Sequence, residues 1–329
     1  MKAVIYSEFG SAKDALNVVE IDIPSVGEGE VLVRLHASGV NPSDVKARAG
    51  GRPGVTKPPF PQIAPHSDGA GVIEAVGEGV DGARVGERVW IWNGQWRRAL
   101  GTAAEYIAVP VEQAVFLPEH ISFEEGAVLG IPALTATHTV LGGGSVEGKT
   151  VLISGGAGTV GYLAVQVAKA SGAKVFTTTA SEEDQKVAQE AGADEVFDYR
   201  AEDLAEQILA KNNGQPVDRI VEVEFGKNVQ TIAKIIAEKG SIATYGSALD
   251  MEPQLPFYPL LFKAVKLDFV LVYLLNDSER RNAIDNLTTL LEKNALDIRI
   301  FKAFPLEQCA EAHELIESGK RAGSVVLTM

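Results

Sequence analysis

The 329-residue sequence holds a single cysteine, three methionines, three tryptophans and five histidines. One thiol, Cys309, excludes an intramolecular disulfide and fits a reducing compartment, so the cytoplasm is expected. Basic residues are also scarce: 30 Lys and Arg against 44 Asp and Glu give a formal net charge of −14. A surface for nucleic acid or anionic membrane needs a basic patch, and none stands out, so neither partner is expected. No apolar run approaches the ~18 residues of a membrane span. The opening MKAVIYSEFG lacks the layout of a secretory signal, and no G-x-S-x-G nucleophile turn occurs. What remains, 46% apolar and 22% charged residues, is an ordinary globular composition long enough for two domains.

Residues 2–118 read as short strands punctuated by Gly and Pro, with VLVRLHA (31–37) alternating most clearly. This spacing predicts a compact, barrel-like β domain. The texture changes near Ser122, which opens a capping box with Glu125, and the helix that follows is interrupted by Pro132. From TVLIS (150–154) onward, strands alternate with helices as far as SIATYG (241–246), which predicts a parallel, doubly wound sheet. After 265 come a strand (KLDFVLVYLL), helices at about 277–293 and 305–318, and a last strand, SVVLTM. Periodicity does not say which domain these join.

Gly156-Ala157-Gly158-Thr159-Val160-Gly161 is a G-x-G-x-x-G run that follows an apolar strand and opens an apolar helix. In that context it predicts a dinucleotide-binding turn. Gly156 is assigned the tight turn, Gly158 the close approach of pyrophosphate, and Gly161 the packing of helix on strand. The helix N-terminus supplies N–H donors and partial positive charge. An NAD site carries a carboxylate at the end of the second strand. Here Thr177-Thr178-Thr179-Ala180-Ser181 stands in that place, with Lys186 and Tyr199 nearby as a cation and a donor. Hydroxyls accept a 2′-phosphate that a carboxylate repels, so NADPH is expected, although Glu182 and Glu183 argue the other way.

GVNPSDVKARAG (39–50), HSDGAGVIEAVGEGV (66–80), GIPALTA (130–136), GGAGTVG (155–161) and AGADEVFDYR (191–200) occur in that order. Together they resemble the zeta-crystallin-like NADPH:quinone oxidoreductases, the zinc-free branch of the medium-chain dehydrogenase/reductase superfamily. The likeness runs from MKAVIY to SVVLTM. It implies an α/β chain with a GroES-like β-rich catalytic domain, 1–122 and 266–329, around an inserted Rossmann domain, 123–265. It also implies NADPH, a cleft between the domains, and a homodimer or homotetramer with a strand near KLDFVLVYLL pairing across the subunit interface.

Zinc relatives in the superfamily carry Cys in the loop occupied here by GVNPSD, and a His-Glu pair ahead of Gly-Ala-Gly. Aligned on Gly69-Ala70-Gly71, that pair falls on Ser67 and Asp68, and Asn41-Pro42 stands around the missing Cys. No metal is expected. His36, His120, His138 and His313 carry no motif, and Cys309 reads as a small core residue.

Catalytic candidates are Asn41, which the resemblance places near the nicotinamide, Asp44, which orients its neighbours, and Lys46. Many zeta-crystallin-like members have tyrosine at this last position, whereas some enone reductases have lysine. The resemblance adds Thr135, Gly246, Ser247 and Arg321 to the cofactor contacts. His66, Trp92 and Asn93 are candidates for the substrate pocket, with Trp90 and Trp92 on one strand face. Without zinc to polarise a carbonyl, hydride has to go to an electrophile already activated, a quinone or an α,β-unsaturated carbonyl. The expected activity is therefore zinc-independent, NADPH-dependent reduction of such a small molecule. An enoyl-thioester reductase and a non-catalytic NADPH-binding sensor or structural protein are the alternatives.

Overall fold

At its N-terminus the chain pairs β1 (Lys2–Ile5) antiparallel with β2 (Asn17–Glu20) across the short helix α1 (Ala12–Ala15). The computed structural model describes residues 1–51, 54–319 and 321–329. The alternating stretch around VLVRLHA lies in β3 (Glu30–Val40), which ends at Asn41, the cap of helix α2 (Pro42–Arg48). β4 (Asp68–Val76), β5 (Arg88–Ile91), β6 (Tyr106–Pro110) and β7 (Ala114–Phe116) follow. β3 pairs antiparallel with both β4 and β6, and its register against β4 shifts after Leu32 and again after Leu35. Such bulges bend a strand, which lets one sheet curl around its own core. Val31, Val33, Leu35, Ile73, Val89 and Ile107 fill that core.

Ser122 and Glu125 form the expected capping box: the Glu125 N–H donates to Ser122 Oγ at 3.2 Å, and the Ser122 N–H to Glu125 Oε2 at 2.7 Å. They open α3 (Phe123–Gly126). Pro132 has no N–H to give the preceding turn, and the backbone widens into a π-helical turn at Leu129–Ala133 before α4 (Leu134–Leu141).

The second half alternates as expected: β8 (Thr150–Ile153), α5 (Thr159–Ala170), β9 (Lys174–Thr179), α6 (Glu182–Glu190), β10 (Glu195–Asp198), α7 (Leu204–Lys211), β11 (Val217–Glu222), α8 (Phe225–Ile235), β12 (Ile236–Thr244), α9 (Phe257–Phe262), β13 (Lys266–Phe269) and α10 (Asp277–Glu292). The six strands form one parallel sheet in the order β10-β9-β8-β11-β12-β13. The order reverses between β8 and β11, and in such sheets ligands bind at the carboxyl ends of the strands at this reversal. Strands covered on both faces are largely apolar, as β8 shows, with Val151, Leu152 and Ile153 following Thr150 and all four residues buried. The chain then returns with β14 (Ile300–Pro305), α11 (Cys309–Ser318) and β15 (Ser324–Thr328), which extends the first sheet by pairing with β3.

The chain divides into two compact units, Met1–Ile131 with Ile298–Met329, and Pro132–Asp297. The expected boundaries were 122/123 and 265/266; the observed breaks come later at both points. α3 packs on β3 and β4, which keeps 123–131 in the first unit. β13 pairs with β12 and α10 packs on α4, which keeps 266–297 in the second. Of KLDFVLVYLL, only Lys266–Phe269 is strand; a 3₁₀ turn follows at Val272–Leu274. Among the described residues, no helix is long and apolar enough to cross a membrane.

Candidate functional site

In the second unit, β8 runs into the glycine loop and α5 leaves it with Gly158 as its N-cap. The first-turn N–H groups of a helix have no preceding helical carbonyl to meet, so this 12-residue helix directs donors and partial positive charge at the loop. The glycine roles differ from those expected. Gly155, at φ 71°, makes the turn. A Cβ on Gly156 would lie 2.1 Å from Thr177 Oγ1, so this glycine lets the loop close on β9. A Cβ on Gly161 would lie 2.1 Å from the Gly155 carbonyl oxygen, so it packs helix on loop. Gly158 faces only the Gly155 oxygen at 3.3 Å, leaving a cradle that a side chain would fill and a phosphate fits.

Beneath the loop, Glu222 at the end of β11 is fully buried. It accepts from Ser154 Oγ, from the Glu224 N–H at 2.6 Å and from Asn228 Nδ2 at 2.9 Å. Burial raises its pKa against the pull of these donors. The carboxyl thus ties the end of β8 to the start of α8, a brace that sequence reading missed.

At the neighbouring strand ends, Ser181 caps α6 and its hydroxyl bonds Asp184 at 2.8 Å. Lys186 is exposed on α6, and Tyr199 is exposed after β10. Sequence reading passed over Arg200, whose guanidinium donates to the Ala180 carbonyl after β9 and to Asp198, and stands 5.8 Å from the centre of the Tyr199 ring. Its position beside Tyr199 at a strand end was the available signal. Thr135 is buried in the first turn of α4. Gly246 accepts from the Phe225 N–H at 3.0 Å, and Ser247 Oγ accepts from the Gly226 N–H at 2.8 Å while donating to the Asp250 carbonyl. The Ser247 hydroxyl is therefore occupied in closing its own loop. Arg321 belongs to the first unit; it is partly buried, its Nε has no partner among the described residues, and burial lowers its pKa.

In the first unit, Asn41 is buried at the start of α2, and its Nδ2 donates to Asp68 Oδ2 at 2.9 Å. Burial drives the Asp68 pKa well above the ordinary carboxylate range, with the Asn41 amide opposing. Asp44 is also buried and accepts the Asn41 N–H at 2.8 Å. Its carboxylate thereby caps α2 and holds the Asn41 backbone in place. Lys46 is exposed on α2.

The structure buries His66. It has no exposed surface, lies at φ 76°, and turns into the core, with Nδ1 3.0 Å from Ser38 Oγ and Nε2 2.8 Å from His313 Nε2. Burial lowers the pKa of both rings, His313 to about 3. Trp92 is half-buried and its Nε1 donates to the Glu112 carbonyl at 3.1 Å, and Asn93 is buried at φ 54°. The strand β5 ends at Ile91, before the alternation that would carry Trp92. A cavity of about 380 Å3 is lined by residues a few places on, Gln95, Trp96 and Arg97, together with Phe9, Ala47 and Phe60.

A catalytic zinc requires about three ligands such as thiolate, imidazole or carboxylate, with a fourth position open. At 41, 67 and 68 the structure offers an amide N–H, a hydroxyl and a buried acid held toward its neutral form. This set does not fit the ion.

Residues 27–119 match the alcohol dehydrogenase GroES-like domain, and residues 159–289 match the zinc-binding dehydrogenase family. Human quinone oxidoreductase is 31% identical over 334 residues, covering 100% of this chain and 98% of that protein. Among solved structures, a mycobacterial protein complexed with NADPH has a TM-score of 0.86 at 27% identity, covering 100% of both chains. A 2-haloacrylate reductase has a TM-score of 0.86 at 26% identity, covering 100% of this chain and 99% of that one. With full-length identity at this level and both domain families matched in order, the chain belongs to the quinone oxidoreductase family of medium-chain dehydrogenases/reductases.

Proposed function

We propose that this chain is an NADPH-dependent, zinc-independent reductase of quinones or α,β-unsaturated carbonyls. The observation that carries the reading is the glycine cradle: Gly158 caps α5 with the Gly155 carbonyl oxygen as the one atom near its Cβ position, at the order reversal of a parallel sheet. When bound, NADPH supplies the hydride. The α5 N-terminus holds its pyrophosphate, and the loop keeps its shape because the Gly155 N–H donates to Thr178 Oγ1 at 3.2 Å. β9 ends without a carboxylate. Arg200, Lys186 and Tyr199 are the groups available for a 2′-phosphate, and the mycobacterial relative bound to NADPH supports that choice.

In the first unit, Asp68 holds the Asn41 amide by one N–H, the amide oxygen takes part in the α2 capping box, and the second N–H is left for a ligand. An amide held in this way is a preorganised donor for a developing oxyanion. Lys46 is the cation that stabilises an enolate or delivers a proton. The aromatic cavity beside Ala47 suits a planar acceptor. Lys46 and the likeness to a 2-haloacrylate reductase favour activated alkenes over quinones.

The chain acts as a homodimer or homotetramer. β13 is an edge strand, and Phe262, Phe269 and Leu274 around it are exposed, an apolar patch that calls for cover.

The test is oxidation of NADPH and NADH by chelator-treated protein, followed by nicotinamide absorbance against a panel of quinones and enones. Chelator-resistant turnover, faster with NADPH, is the expected result. Binding of NADPH with no turnover of any acceptor would overturn the reading in favour of a nucleotide-binding protein.

A further inference from the structure

We propose that His66, His313 and Cys309 form a buried site for one thiophilic, closed-shell metal ion. Cys309 and His313 lie four residues apart on α11, which places them on one helix face. His66 comes from the loop ahead of β4, 247 residues from His313 in sequence. The two Nε2 atoms are 2.8 Å apart, Cys309 Sγ lies 4.0 Å from His66 Nε2, and the three ligand atoms are all within 4.8 Å of one another. All three side chains are at most 1% exposed.

The hydrogen bonds behind His66 fix which nitrogen faces the cluster. Thr102 Oγ1 donates to the Asp68 carbonyl at 2.5 Å, so Ser38 Oγ, 2.9 Å away, gives its own proton to Thr102. The Ser38 oxygen then accepts from His66 Nδ1. His66 Nε2 is left with its lone pair directed at His313 and Cys309. A ligating histidine characteristically donates its other nitrogen in this way, which sets its tautomer and raises its basicity. The left-handed backbone at His66, φ 76°, is a conformation that side-chain-bearing residues seldom adopt, and here it turns the imidazole inward.

The donor set selects the ion. Two imidazoles and a thiolate are ligands for soft or borderline ions, and among the described residues no carboxylate joins them. Metal–nitrogen distances of about 2.0–2.1 Å around such an ion require the two Nε2 atoms to part by roughly half an ångström. Cu(I) with one thiolate leaves the core neutral and is satisfied by three ligands. Zn(II) leaves one positive charge and needs a fourth ligand. The buried Arg48 guanidinium, whose charge is felt at His313, is paired with Glu317 and donates to the Gly10 carbonyl, which favours the ion that leaves the core neutral. On binding, the Cys309 S–H bond breaks, the sulfur–metal bond forms and the proton leaves to solvent. His313 exchanges its Nε2 proton for one at Nδ1, so one proton is released per ion. The ion joins α11 to the loop before β4 and takes no part in reduction.

The test uses the full chain, stripped by chelator under reductant and titrated with Cu(I) or, separately, Zn(II) against a chromogenic competitor. One ion per chain and a rise in Tm are expected. Ser38→Ala weakens binding ~10–100-fold, the usual loss on removing the partner behind a ligand. Cys309→Ser and His313→Gln weaken it further, and His120→Ala, an exposed histidine, leaves it unchanged. Retention of Cu(I) alone assigns a three-ligand site, and retention of Zn(II) assigns one with an added fourth ligand. Retention of neither overturns the proposal, as does equal binding by wild type and Cys309→Ser. Should the variants fail to fold, X-ray absorption of the loaded wild type decides: one sulfur and two imidazole nitrogens support the site, and absence of sulfur removes it.

Discussion

The two units build their buried polar machinery in opposite ways. In the second, Glu222 takes the Glu224 N–H and Asn228 Nδ2 from the residues just after it, and its one distant donor, Ser154, ends the adjacent strand. In the first, Asp68 depends on Asn41, 27 residues away, and His66 on Ser38 and His313, 28 and 247 residues away. The parallel sheet delivers successive strand ends to one edge, so a site there is made of short contiguous stretches. The mostly antiparallel sheet of the first unit brings together residues distant in sequence, and its site is assembled by folding alone.

The largest expected effect lies in the contiguous loop. Gly161→Ala places a Cβ 2.1 Å from a backbone oxygen that has nowhere to move. Overpacking of this kind costs about 1–3 kcal/mol or more, so both Tm and NADPH binding fall. Gly158→Ala meets its nearest atom only at 3.3 Å. Its Tm therefore falls far less, while the approach of the pyrophosphate, and with it NADPH affinity, is lost. Melting curves and NADPH titration of the two variants separate packing from binding, and parallel losses in both would collapse the distinction.

The next effect concerns the two buried acids. Burial raises both Asp68 and Glu222 above their unfolded values. A raised acid contributes stability that is complete below its unfolded pKa of about 4 and is lost as pH rises toward the folded value, at about 1.4 kcal/mol per pH unit. At Asp68 burial, aided by the Asp44 charge, outweighs the Asn41 amide and drives the carboxyl well above its ordinary range, whereas Glu222 is held by several donors. Denaturant unfolding across pH 4–7 (about the range over which an acid of this kind titrates) is expected to show a decline that Asp68→Asn removes and Glu222→Gln reduces less. An unchanged slope in Asp68→Asn would place the titrating group elsewhere.

The same contrast governs what could be read from residues alone. The doubly wound sheet, the glycine loop and the Ser122 capping box rest on local spacing, and the structure has them where the spacing put them. Even there, the roles of individual glycines depended on what a Cβ would meet, and Gly155 rather than Gly156 makes the turn. In the first unit, strand alternation carried too far: β5 stops at Ile91, before Trp92, and a cavity opens on Gln95, Trp96 and Arg97 further on. The burial of His66 was illegible because its partners come from β3 and α11. Only the four-residue spacing of Cys309 and His313 hinted at a shared face.

Arg200 tests whether cofactor choice belongs to the local strand ends. A charge-assisted hydrogen bond is worth about 1.5–3 kcal/mol, so Arg200→Ala is expected to raise the KM for NADPH ~10–100-fold while leaving that for NADH unchanged. Equal losses with both cofactors would mean that Arg200 only braces Ala180 and Asp198.

The smallest expected effect is at Lys46, the exposed cation of the assembled unit. Reduction of an enone leaves an enolate that must be stabilised and then protonated, whereas a quinone spreads the arriving charge through a ring that becomes aromatic. Lys46→Met keeps the aliphatic stem and removes only the ammonium. It is expected to lower kcat/KM for enones about 10-fold, equivalent to about 1.4 kcal/mol, and to change quinone reduction by less. Because the residue is exposed on α2, Tm is unchanged, so a loss confined to enones reads as chemistry rather than folding. An equal loss on both acceptors assigns Lys46 to cofactor binding, and no loss on either leaves it a solvated cation. In that last case acceptor choice rests with the cavity alone, and Trp96 becomes the residue to change.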